Sequence, residues 1–157
     1  MIHVGLADDD ALVRSTLTEL LATTEDVRIV WAARDGREAL DLLFSPETPE
    51  VQVLLLDVQM PRLDGITLAE RLRKERPGIG ILILTTFVAD DVLNRALAAG
   101  VRGFIAKEDP VATLADTIRN VAAGNMVLSP ASSAIIGGWS APAAPAAAPS
   151  PDTAAVL

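Results

Sequence analysis

The chain contains no cysteine, a single histidine, and 13 basic residues against 21 acidic ones. The missing thiols exclude disulfides, thiolate metal sites and thiol nucleophiles. Apolar runs such as Val53 to Leu56 fall far short of the roughly 20 residues a membrane-spanning helix needs. The N-terminus enters its first apolar run without a basic leader, so a cytoplasmic location is expected. The formal net charge of -8 argues against this segment holding nucleic acid by itself, because such binding rests on Lys and Arg neutralising phosphates.

With 157 residues, 50% of them hydrophobic, there is material for one domain with a full core. Composition changes near Ser129. The stretch "SAPAAPAAAPSPDT" is rich in Ala, Pro and Ser, and Asp152 is the only charged residue from Ser129 onward. Repeated prolines and no face to bury predict a mobile, partly extended linker over residues 129–157, after a globular domain at 1–128. Linkers usually join two domains, so the sequence is expected to be the front part of a longer protein; the other reading is a disordered C-terminus.

Up to Gly124 the pattern alternates. Strands are predicted at Ile2 to Ala7, Val27 to Ala33, Val51 to Leu56, Ile79 to Leu84 and Gly103 to Ala106. Helical spacing follows each: Val13, Leu17, Leu20 and Leu21 mark the first helix, then come Arg37 to Phe44, Leu63 to Arg76 and Asp90 to Ala99. The last helix carries Val111, Leu114, Ile118 and Val121 on one side and stops at Gly124. Five such alternations predict an α/β fold with a doubly wound parallel sheet and five helices. Ligands of such sheets sit beyond the carboxyl ends of the strands.

Those ends carry a consistent chemistry. Asp8 and Asp9 follow the first strand, Asp57 the third, Thr85 the fourth and Lys107 the fifth. Converging on one edge, the three carboxylates make a hard oxygen pocket suited to Mg²⁺, which would offset their mutual repulsion. Asp57 is placed as a carboxylate nucleophile, Lys107 as a positive charge and Thr85 as a hydroxyl donor for a phosphoryl group. Singly, each has a plainer reading: an Asp after a strand is often a helix N-cap, which is preferred for Asp10, and Thr85 and Lys107 could serve a turn and a solvated surface. Their joint placement at four strand ends is what the plainer reading leaves unexplained.

The segments "LADDDALVR", "LLLDVQMPRLDGI", "ILTTF" and "GFIAKED" together resemble the receiver domain of two-component response regulators. With the ending "IRNVAAGNMVLSP", the chain is similar to the NarL/FixJ-type subfamily, whose effector is a helix-turn-helix DNA-binding domain. The resemblance runs from about Ile2 to Ser129 and implies a flavodoxin-like sheet of order 2-1-3-4-5. It implies that Asp57 accepts a phosphoryl group from a sensor histidine kinase, and that Asp9 ligates Mg²⁺ directly while Asp8 does so largely through water. The backbone carbonyl of Gln59 would be a further ligand. Thr85 and Lys107 would contact the phosphoryl group, and Gln59 and Phe87 would tune its lifetime. Phe104 stands at the family's aromatic switch position; its other reading is an ordinary core residue. Pro61 would fix the turn after the site and Gly65 would tolerate an unusual φ there.

The resemblance further implies switching to a homodimer, through either the fourth helix, fifth strand and last helix or the first and last helices. His3 lies inside the first strand, so the phosphoryl donor must be a partner. The chain departs from the family pattern at Asp10 and at Glu108, which stands where many receivers have a proline, so a cis peptide after Lys107 is not expected. Two other classes compete. A Mg²⁺-dependent phosphohydrolase with an aspartyl nucleophile would want a second Asp where Gln59 stands, and a cap insertion that is absent here. The other is a dimerisation module that needs no phosphorylation.

Overall fold

The computed structural model describes residues 1–58, 60, 63–85 and 90–127. Gln59, Pro61, Phe87 and the expected linker at 129–157 therefore lie outside the described residues. Five strands, β1 (Ile2–Ala7), β2 (Val27–Ala33), β3 (Val53–Asp57), β4 (Gly80–Thr85) and β5 (Gly103–Ala106), alternate with five helices. The helices are α1 (Ala11–Ala22), α2 (Gly36–Leu43), α3 (Gly65–Glu75), α4 (Asp90–Ala98) and α5 (Val111–Ala122). The strands form one parallel sheet of order β2-β1-β3-β4-β5, as expected.

The apolar runs of β3 and β4 are buried at every position. Alternation sorts their side chains between two cores. Val53, Leu55, Leu82, Leu84 and Ile105 join Leu17, Leu21, Leu114 and Ile118 beneath α1 and α5. Leu54, Leu56, Ile81, Ile83 and Phe104 join Leu40, Ile66, Leu72 and Leu93 beneath the other three helices. Both faces are thereby covered, which leaves the carboxyl edge as the place where polar groups can gather.

Two helices begin where side-chain caps dictate, away from the predicted positions. Asp35 accepts from the Glu38 amide at 2.8 Å and caps the start of α2 at Gly36, while Glu38 reaches back to accept from the Arg34 amide at 2.8 Å. Asp64 accepts from the Thr67 amide at 2.8 Å, so α3 starts two residues later than Leu63. At its other end α5 gives way at Gly124, whose φ of +94° suits a residue without a Cβ. All described peptide bonds are trans.

The expectation for Gly65 requires correction. Its φ is not in the left-handed region. Glycine stands there because a Cβ would lie 2.2 Å from the carbonyl oxygen of Asp57 and 3.4 Å from the Leu56 Cβ. The first turn of α3 is thus pressed against the backbone of the strand end that carries Asp57.

Candidate phosphoryl and metal site

Strand geometry assembles the site. Asp57 is the last residue of β3 and Thr85 the last of β4; Asp8 and Lys107 immediately follow β1 and β5. Two ladder-like hydrogen bonds continue past the strand ends and fix these residues. The Asp8 amide donates to the Ala33 carbonyl at 3.0 Å, and the Lys107 amide donates to the Thr85 carbonyl at 3.1 Å.

Carboxylate oxygens of Asp8, Asp9 and Asp57 lie within 4.8 Å of one another. Asp8 is fully buried, Asp57 nearly so, and Asp9 is exposed. Lys107 Nζ stands 3.0 Å from Asp8 Oδ2 and 3.5 Å from Asp57 Oδ2. The sequence expectation that these four residues meet at one edge matches this placement. Thr85 is buried beside them at the end of β4. Phe104 is fully buried in the α2–α3–α4 core, opposite Ile83 in the ladder. The expected roles of Gln59 and Phe87 fall outside the described residues.

The electrostatics follow from crowding. The Asp57 carboxyl is raised from 3.8 to about 6: burial is the largest cause, repulsion from Asp8 adds to it, attraction to Lys107 pulls the other way, and Asp9 adds a smaller upward push. For Lys107, burial acts to lower the ammonium, but the contact with Asp8 and attraction to Asp57 and Asp8 outweigh it and the net shift is upward. One amine therefore pairs with two buried acids that stand beside a third, Asp9. Asp8 Oδ2 is buried and forms an ion pair with that amine at 3.0 Å, and it has no further hydrogen-bond partner among the described residues. One ammonium shared between two buried carboxylates leaves net negative charge, which costs free energy unless a further cation joins it. The three-acid set fits a hard divalent ion, with Asp8, Asp9 and Asp57 able to hold it.

Sequence reading missed the groups that hold Asp8. Asp8 Oδ1 accepts from the Asp10 amide at 2.9 Å, and the Asp8 carbonyl accepts from Arg14 Nη1 at 2.8 Å. Asp10 also caps α1, as expected, accepting from the Leu12 amide at 2.9 Å. A signal for Arg14 was present: it is the fourth residue of α1, where a cation opposes the helix dipole and so needs a local reason to be there. Beyond β5, Asp109 Oδ2 accepts from the Ala106 amide at 3.2 Å and shapes the turn that presents Lys107.

A doubly wound parallel sheet of order 2-1-3-4-5 carries three acids and a lysine at its carboxyl edge, which makes the chain an α/β domain with a candidate cation site there. The sequence model of the response regulator receiver domain matches residues 4–119, and the chain belongs to that family. Over 130 residues it is 34% identical to the transcriptional regulatory protein YvfU and 32% identical to the transcriptional regulatory protein DesR, both of Bacillus subtilis, in each case covering 83% of this chain. The chain spans 64% and 63% of the lengths of those two proteins. Among solved structures, it is similar to the response regulator ChrA of a heme-sensing two-component system. That match has a TM-score of 0.70 at 32% identity and covers 85% of this chain and 63% of the other. It is similar also to the signal receiver domain of the putative response regulator NarL from Mycobacterium tuberculosis, with a TM-score of 0.72 at 27% identity over 79% of this chain and 98% of that one. These relatives are regulators rather than metabolic enzymes, which does not favour the phosphohydrolase reading. No helix among the described residues is long and apolar enough to cross a membrane.

Proposed function

We propose that residues 1–128 act as a phosphorylation-driven switch in the cytoplasm, with Asp57 as phosphoacceptor and a sensor histidine kinase as donor. What carries the reading is the position of Lys107, within 3.5 Å of both Asp8 and Asp57 inside a three-acid cluster. In the transfer, an Asp57 carboxylate oxygen attacks phosphorus, a P–O bond forms, and the P–N bond to the donor imidazole breaks with its electron pair returning to nitrogen. With a pKa of about 6, Asp57 is mostly ionised at neutral pH and able to attack. Lys107 neutralises charge on the phosphoryl oxygens and Thr85 donates a hydrogen bond to one of them. Asp8, Asp9 and Asp57, with the backbone carbonyl of Gln59, would hold a Mg²⁺ ion, which would supply further neutralisation of the phosphoryl charge. Hydrolysis by water later returns the Asp57 carboxylate and releases phosphate, at a rate tuned by Gln59 and Phe87.

The consequence is conformational. Thr85 and Lys107 are already joined by a backbone hydrogen bond at 3.1 Å, so a phosphoryl group drawing on both side chains acts on β4 and β5 together. Phe104, three residues before Lys107, moves with that change, and the altered surface pairs with a second copy. Residues 129–157 link this switch to a helix-turn-helix domain that contacts DNA, an output supported by the transcriptional regulators among the relatives.

Incubating the full chain with acetyl phosphate and Mg²⁺, followed by intact mass measurement, tests the reading. One phosphoryl group is expected on the wild type, with none on Asp57→Asn and none in excess EDTA. An unchanged wild-type mass, or a gain that persists in Asp57→Asn, overturns it, as does multiple-turnover hydrolysis of simple phosphomonoesters.

A further inference from the structure

Asp8 is fixed at three of its four polar atoms. Its amide donates to Ala33 in β2, its Oδ1 accepts from the Asp10 amide, and its carbonyl accepts from Arg14 Nη1. The fourth atom, Oδ2, is paired with Lys107 Nζ at 3.0 Å. Arg14 closes a ring: its own amide donates to the Asp10 carbonyl at 3.1 Å, the Asp10 amide donates to Asp8 Oδ1, and its guanidinium returns to the Asp8 carbonyl. The ring spans the junction between β1 and α1.

We propose that Arg14 is the positioning residue of the acidic cluster: it sets the β1–α1 turn so that Asp8 turns Oδ2 toward Asp57 and Lys107, ready for a divalent cation. This rests on the reading of the cluster given above. Two considerations favour it. A cation in the first turns of α1 is placed against the helix dipole, so the contact with the Asp8 carbonyl must offset that cost. Electrostatics alone would have the opposite effect on a metal, because a guanidinium near the cluster repels a dication. The positioning role and a bystander role therefore predict opposite signs. Partners that orient metal ligands from outside typically change affinity by about 10–100-fold when removed.

The test uses the full chain and two readouts. Thermal stability is followed against Mg²⁺ concentration for wild type, Arg14→Ala and Arg14→Lys. Arg14→Ala is expected to raise the half-saturating Mg²⁺ concentration roughly tenfold, and Arg14→Lys, which keeps a donor on a long stem, to stay within about threefold of wild type. Arg14→Ala that binds Mg²⁺ as well as wild type, or more tightly, overturns the proposal. The second readout needs no metal: in EDTA, the Asp10 amide should exchange with solvent roughly tenfold faster in Arg14→Ala than in wild type, with the amides of β3 unchanged. Unchanged Asp10 exchange rejects the positioning role whatever Mg²⁺ does. A wild type without any Mg²⁺ response, but with accelerated Asp10 exchange in Arg14→Ala, instead overturns the metal reading of the cluster and leaves the positioning role standing.

Discussion

Asp57→Asn should stabilise the metal-free protein at neutral pH by about 2–3 kcal/mol, although it removes the group at the centre of the site. Burial and the neighbouring acids hold the carboxyl at about 6 rather than 3.8. A carboxyl raised in this way contributes stability that is fully present below pH 3.8 and is lost as pH rises through about 6. At neutral pH the wild type thus carries an ionised group that the unfolded chain would solvate better. An amide of nearly the same shape carries no such charge, and Lys107 retains Asp8 as a partner at 3.0 Å. Urea unfolding in EDTA at about pH 5 and about pH 7.5 should show the advantage of the variant growing with pH. Equal stability at the higher pH would mean that Asp57 is not under electrostatic load.

Lys107→Ala should act in the opposite direction and cost about 3 kcal/mol in the absence of metal. It leaves Asp8, whose side chain is 0% exposed, with no cation within reach of Oδ2 among the described residues, and it removes the one attraction that holds Asp57 down. The cost falls at the low end for a broken buried pair because the lysine side chain is 21% exposed and Asp57 can take up a proton. Adding Asp57→Asn to this variant should recover part of the loss, a non-additivity expected of groups 3.5 Å apart. Denaturation of the two single variants and the double variant checks both statements. A loss below about 0.5 kcal/mol for Lys107→Ala would return that residue to the plainer reading of a solvated surface lysine.

The sequence made the sheet legible because β3 and β4 are unbroken apolar runs and each is followed by a helix-spaced pattern. It also showed which residues cluster, since parallel strands deliver their last residues to the same edge. It was less informative wherever one side chain overrides local pattern. The starts of α2 and α3 are set by the carboxylates of Asp35 and Asp64, and apolar periodicity carries no trace of either bond. For Gly65, sequence shows that a residue lacks a Cβ, but not whether the need is torsional or steric, and here the Asp57 carbonyl decides it. The partner of Arg14 is a backbone carbonyl six residues earlier, which no residue-type pattern encodes; only its place against the helix dipole marks it in the sequence.

These particulars share a physical cause. The edge of the sheet concentrates more negative charge than one lysine can balance, and a divalent cation is the natural remedy. The most direct measurement is the titration of the Asp57 side-chain carboxyl by carbon NMR, with and without Mg²⁺. The account predicts a midpoint of about 6 in EDTA and a marked fall when Mg²⁺ is added, with no such fall when Asp9 is replaced by Asn. A midpoint near 3.8 in EDTA, or one that Mg²⁺ leaves in place, would contradict it.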